Sequence, residues 1–135
     1  MTDESYAKIM AMIADSPYHQ WWPEEIIESH IDTPLSLGQF IIGKDDDDAF
    51  FFFATWAFPE EKHLQEYLRT RCFPKDGFHG KGDEVWITDF ICLGGRRDVA
   101  TAFRCVKNLI YTMGYDKFFW LRTEKNKIGW HTIKE

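Results

Sequence analysis

A histidine three places after a serine, in the run Ser16-Pro-Tyr-His-Gln-Trp-Trp-Pro23, is where this 135-residue chain first suggests chemistry. Prolines at both ends and three aromatic neighbours stiffen a short loop around His19. A rigidly held imidazole makes a good general base, because its unperturbed pKa sits near neutrality. Asp89 is the second such place, inside the otherwise apolar run Val85-Trp-Ile-Thr-Asp-Phe-Ile-Cys-Leu93. An ionised carboxylate is costly to bury without a partner, so Asp89 must face solvent, meet a cation or work in a site. A His19–Asp89 pair would satisfy both groups, the carboxylate orienting the imidazole and stabilising its charged form. Two plainer readings stay open on the residues alone: His19 as a bystander in a loop anchored by Trp21 and Trp22, and Asp89 as a solvent-facing strand residue.

Other stretches carry weaker signals. Cys92-Leu-Gly-Gly-Arg-Arg-Asp98 reads as a strand, a glycine turn and a helix start, where exposed N–H groups can receive an anion. It is not a P-loop, which needs GxxxxGK[ST]. It also lacks the Gln/Arg-x-x-Gly-x-Gly/Ala pattern with which ordinary acetyl-CoA-dependent acetyltransferases hold pyrophosphate. The Asp45–Asp48 run has no EF-hand spacing and reads as a solvated turn. His30, His63, His79 and His131 have no metal-ligand spacing and are expected to be surface or structural; no metal site is expected. Cys72, Cys92 and Cys105 have no obvious activating neighbours, which argues against a cysteine nucleophile.

The elements that must position these residues follow from periodicity and punctuation. Residues 3–14 read as a helix with Ile9, Met12 and Ile13 on one face, ended by Ser16-Pro17. Pro23 opens a short helix to about His30, with Glu24 and Glu25 complementing its dipole. Residues 38–43 and 49–57 read as strands around the acidic turn, the second so apolar that both its faces should be covered. Pro59 to about Arg71 reads as a helix with Leu64, Tyr67 and Leu68 inward, followed by a polar Gly-rich loop over 73–83. A strand over 85–93 precedes a long helix over 97–113, with Val99, Phe103, Val106 and Ile110 at helical spacing and Gly114 as its cap. Strands over 117–122 and 128–133 close the chain. The order α-α-β-β-α-β-α-β-β predicts an α+β fold with a mixed sheet, the strand–helix–strand unit near the end allowing one parallel pair.

Composition narrows the class. With 44% hydrophobic and 17% aromatic residues the chain is expected to fold, as one domain over 1–135. Its longest apolar run, Ala49 to Ala57, is interrupted by Thr55 and falls far short of the ~20 residues that span a bilayer. The opening MTDESYAK has no secretory pattern, and three scattered cysteines suggest neither disulfides nor zinc, so a reducing cytoplasm is expected. The net charge of −6 is unevenly spread: residues 1–68 hold three lysines against fourteen acidic residues, and residues 96–135 hold nine basic against four acidic. A basic C-terminal third on an acidic protein points to a local anionic partner rather than to nucleic acid. Solvated helix and strand faces are the plainer explanation.

Taken together, the chain resembles the RTX toxin-activating lysine acyltransferases, the hemolysin-activating proteins. Ser16-Pro-Tyr-His19 followed by Trp22-Pro23 is similar to that family's Ser-Pro-x-His…Trp-Pro. Ala49 to Trp56, ending in Ala-Thr-Trp, is similar to its A-x-x-S-W-A, and Trp86-Ile-Thr-Asp-Phe-Ile-Cys-Leu-Gly94 to its W-x-x-D-x-I-A-P-F-G. Phe103-Arg104 resembles its L-R helix, and Phe118 to Gly129, with Arg122, its R…G strand pair. The motifs run in order over nearly the whole chain. The Ala-Pro-Phe-Gly stretch is here Cys92-Leu-Gly-Gly, an Asn-rich stretch after the first motif is not evident, and family members usually run some tens of residues further at the C-terminus.

The resemblance implies a fold similar to the GNAT acetyltransferases, a mixed central sheet flanked by helices. It implies transfer of a fatty acyl group from acyl carrier protein, as a thioester donor with no tightly bound cofactor, to an internal lysine of a protoxin. It carries His19 and Asp89 over as the catalytic pair and Ser16 and Arg122 as substrate-binding residues, and it makes a homodimer an expected assembly. The chemistry is demanding, because a lysine amine with pKa near ~10.4 is protonated at neutral pH and must lose a proton as it attacks. His19 would take that proton, directly or after forming an acyl-His intermediate. Arg122 would meet the donor's phosphopantetheine or the acyl carbonyl. Phe51, Phe53 and Trp56 are candidates for the acyl slot, with plain core as the other reading. Two further functions stay in view: an acyltransferase with another protein or a small amine as acceptor, and a catalytically silent binding or inhibitor module.

Overall fold

The computed structural model describes residues 1–122 and 127–133. Helix α1 (Asp3–Asp15) is capped by the Thr2 hydroxyl accepting from the Ser5 amide and buries Ile9, Met12 and Ile13. It stops where expected, as Ser16 turns extended ahead of Pro17. The next helix runs further than the sequence suggests. Four α-helical residues, α2 (Glu24–Ile27), pass into a π-helical turn over Glu28–Asp32 and on into α3 (Thr33–Leu37). Pro34 explains the change of pitch: its ring would clash with a carbonyl one α-turn back, and a wider turn ahead of it relieves that clash. Gly38, at φ 72°, ends the run in the left-handed conformation. Tyr6 donates its hydroxyl to Asp32 at 2.7 Å, tying α1 to the π-turn.

Among the described residues, five strands form one sheet in chain order: β1 (Phe40–Lys44), β2 (Phe50–Ala57), β3 (Val85–Cys92), β4 (Lys117–Arg122) and β5 (Lys127–Thr132). All neighbours are antiparallel except β3 and β4, which α5 (Arg96–Thr112) joins as a parallel crossover. The fold is therefore α+β with a mixed central sheet, as expected and consistent with a GNAT-like arrangement. Helix α4 (Glu61–Thr70) and a 3-10 turn (Lys75–His79) lie between β2 and β3, the latter inside the segment expected to be loop.

Side-chain alternation divides the core between the two faces of the sheet. Phe52, Ala54, Trp56, Val85, Ile87 and Phe118 pack with Ala102, Val106 and Ile110 of α5. Phe53 and Ile91 pack with α1 and the π-turn, and Ala57 and Trp86 pack with Leu64 and Tyr67 of α4. Val99 of α5, expected inward, is 43% exposed. Burial of side chains of this size, at about 1.5–3 kcal/mol each, anchors both layers to the sheet.

One irregularity in β3 shapes everything that follows. Thr55 of β2 faces Asp89, but Trp56 faces Ile87, so Thr88 is an extra residue in β3. In a regular strand Asp89 would point to the α5 face with Ile87. The bulge returns it to the opposite face, shared with Ile91, towards the loop after α1. The Thr88 hydroxyl is held against that of Thr55 at 2.7 Å. Pairing of β3 with β4 ends at Ile87↔Trp120, the residue before the bulge, and the strands part from there.

Candidate active site

The loop between α1 and α2 is a tight coil folded on Ser16: the amides of His19 and Gln20 both donate to the Ser16 carbonyl, and that of Trp22 to the His19 carbonyl. This turns the His19 ring inward to 8% exposure, beside Ser16 at 4%. The Ser16 Oγ lies 2.6 Å from His19 Nδ1, and His19 Nε2 lies 3.2 Å from Asp89 Oδ1. The Asp89 side chain is 9% exposed. Trp22 packs its ring edge-on against His19, with centroids 4.7 Å apart. The two residues that the sequence offered as a pair, seventy positions apart, are therefore in contact.

Beside them runs a groove of about 560 Å³, within the range of small-molecule sites. It lies where β3 and β4 part and passes from one face of the sheet to the other. Tyr18, His19, Trp22 and His30 line one side; Val99, Phe103 and Val106 of α5 line the other. Phe90, Phe118 and Trp120 are part of the wall between them. Phe51, Phe53 and Trp56, expected as an acyl slot, are not among the lining residues and belong to the packed core. The strand following the bulge and the one beside it supply the aromatic wall instead.

The other expected site residues fall differently. Ser16 touches His19 and does not line the groove. Arg122 ends β4 opposite Lys127, exposed, next to the groove-lining Leu121 but not itself in the wall. His30, expected to be surface or structural, is buried and lies with Nδ1 3.9 Å from Asp89 Oδ2. Its sequence signal was its place on the apolar face with Ile27 and Ile31, which reads equally well as plain core. Tyr67 and Arg71 also border the groove and gave no signal.

Electrostatics follow from burial. The Tyr67 phenol is pushed well above its usual value, first by burial and then by the charges of Asp89 and Cys72. Burial likewise raises the Cys72 thiol, with Asp89 and Glu66 adding to it, so at neutral pH it stays protonated. A buried acid and imidazole beside an apolar groove can receive a proton from a nucleophile, stabilise the resulting imidazolium and keep water away.

No curated protein sequence matches the chain. The family model described as the RTX toxin acyltransferase family matches residues 2–129, which include all of the groove described above. The chain thus belongs to the RTX toxin acyltransferase family, a family of acyltransferases that activate RTX toxins.

Proposed function

We propose that the protein transfers a fatty acyl group from acyl carrier protein to a lysine ε-amine of a target protein, with His19 as general base and Asp89 as its partner. The observation that carries this reading is the contact of His19 with Asp89 at the side of a largely apolar groove. An acyl chain needs a slot that excludes water, and the aromatic wall of Phe90, Phe103, Phe118 and Trp120 supplies one.

The ring nitrogens divide the work. Ser16 meets Nδ1 away from the groove, and a proton held there leaves the Nε2 lone pair facing Asp89. Nε2 and the carboxylate then form a notch of two acceptors, matched to the ammonium of an incoming lysine. The ammonium first releases one proton to solvent; Nε2 then takes a second as the amine nitrogen bonds to the thioester carbonyl carbon, and Asp89 stabilises the imidazolium. Collapse of the tetrahedral intermediate breaks the C–S bond, and the imidazolium returns the proton to the departing pantetheine thiolate. The products are an amide and a free thiol.

The two faces suit the two substrates. Exposed Arg96, Arg97 and Arg104 on α5 offer an acidic carrier protein a docking side, with Arg122 at the adjacent strand end available to a phosphopantetheine phosphate. The lysine would arrive on the side of His19.

Intact-mass spectrometry of acyl-loaded carrier protein mixed with the enzyme and lysine-bearing acceptors tests the reading. Wild type is expected to discharge the thioester and add the acyl mass to an acceptor. Folded His19→Ala and Asp89→Ala variants are expected to lose at least about a hundredfold in rate. Full activity in either variant would overturn the assignment of the pair. Discharge from acyl-CoA but from no carrier protein would overturn the donor.

A further inference from the structure

We propose that His30 is a positioning residue for the His19–Asp89 pair: its Nδ1–H serves the second oxygen of Asp89, so that one carboxylate is held between two imidazoles. The proposal rests on the reading of His19 and Asp89 given above. Asp89 Oδ1 faces His19 Nε2 at 3.2 Å. Its Oδ2 is buried and has no hydrogen-bond partner among the described residues, and the nitrogen facing it is His30 Nδ1 at 3.9 Å. A buried carboxylate oxygen without a donor is costly, and an imidazole N–H is the group that relieves it.

The surroundings of His30 fix it for that task. It is 7% exposed and lies in the π-turn of Glu28–Asp32, a local widening of the helix of the kind that recurs at functional sites. Trp22 packs edge-on against both imidazoles, with centroids 4.7 Å from His19 and 5.4 Å from His30, so a single indole sets the spacing of the two rings. On the far side, His30 Nε2 lies 3.8 Å from Cys72 Sγ. That thiol is protonated at neutral pH and does not compete as an anion for the His30 proton. The titratable groups around His30 are thus Asp89 from β3, Cys72 after α4, His19 across Asp89, and Tyr67 and Arg71 bordering the same groove. Among the described residues these groups do not converge as metal ligands.

The 3.9 Å contact is ionic in length, and bringing it to hydrogen-bond distance takes about 1 Å. Contacts of this kind tighten when substrate fills a site and excludes water. Closing it leaves Oδ1 for His19 and keeps the carboxylate charged while the proton moves.

Two substitutions separate this role from packing. In His30→Asn the amide nitrogen stands as many bonds from Cα as Nδ1 and keeps a donor; His30→Phe keeps the ring and removes it. The first readout is turnover of acyl-loaded carrier protein. His30→Phe is expected to lose about tenfold in kcat with KM within about twofold, and His30→Asn to stay within about threefold of wild type. The second readout needs no turnover: long-range proton–nitrogen spectra of the imidazoles in substrate-free protein. The His19 ring signals are expected to move in the Phe variant and to stay near wild type in the Asn variant. His30→Leu replaces the Phe variant if that one does not fold. A folded apolar variant with wild-type kcat and unmoved His19 signals overturns the proposal, as does an Asn variant as impaired as the apolar one. Should His19→Ala discharge the thioester normally, the base assignment fails, and the imidazole spectra alone decide whether His30 governs the pair.

Discussion

The hydroxyl of Ser16 meets His19 Nδ1 at 2.6 Å with both residues buried, so Ser16 holds the ring on the nitrogen opposite the one that faces Asp89. Ser16→Ala removes that contact without touching the groove wall. We expect the variant to fold, to keep its KM for donor, and to lose roughly tenfold in kcat, because a charge-assisted bond to the imidazolium disappears. Steady-state kinetics beside a thermal melt checks this; an unchanged kcat would leave Ser16 a loop residue only. At this scale the sequence was informative where a residue contradicted its neighbours. Asp89 in an apolar strand and His19 between prolines are such contradictions. His30 is not, since a histidine on an apolar helix face is unremarkable until the tertiary fold brings it to Asp89. The aromatic wall was missed because a short motif does not say which strands will part.

The Thr88 bulge does two things that periodicity alone does not report: it aims Asp89, and it coincides with the end of β3–β4 pairing. Deleting Thr88 separates them. Regular alternation then follows Ile87, Asp89 stays on the His19 face, and β3 is free to continue pairing with β4 across the groove. The deletion variant is expected to melt within a few degrees of wild type and to discharge the thioester at least about tenfold more slowly. Calorimetry and discharge assays together decide it, and a fully active variant would show that the groove does not depend on the bulge. Helix α4 carries a different kind of prediction, through Tyr67. Its phenol is raised by burial first and by Asp89 and Cys72 next. The unfolded chain ionises at about pH 10, so the stability this group lends is complete below that pH and is lost as pH rises towards the folded-state value. Tyr67→Phe should melt with wild type near neutrality and above it at about pH 11. Calorimetry across that window checks the sign; a variant that gains nothing in alkali argues against it. Most elements were legible from caps, prolines and periods. The π-turn was not, because Pro34 reads as a stop and the chain instead widens ahead of it.

Charge is sorted across the whole molecule as it is along the chain. The acidic first half builds α1 to α3 on one face of the sheet, where Asp3, Glu4, Glu24, Glu25 and Glu28 lie in helix first turns. The basic C-terminal third builds α5 on the other face and the last two strands at its edge. The groove crosses the sheet between these faces, with Val99, Phe103 and Val106 towards α5 and His19 with His30 on the other side. On the function proposed above, an anionic carrier protein would be drawn to the α5 side, and an acyl chain would enter the gap between β3 and β4 from there. On the same proposal, a cationic lysine would be drawn to the acidic side, where the His19–Asp89 pair stands. Salt separates this arrangement from uniform attraction or none, because exposed charges are screened beyond about 8–10 Å at 0.10–0.15 M ionic strength. The Michaelis constant for loaded carrier protein should climb several-fold between about 0.05 and 0.5 M salt while kcat holds, since docking weakens and the buried pair is shielded. Arg97→Glu with Arg104→Glu should raise that constant at low salt and flatten its salt dependence, leaving turnover of a small thioester donor unchanged. A Michaelis constant indifferent to both salt and charge reversal would place the donor elsewhere on the molecule, and with it the direction in which the acyl chain threads the sheet.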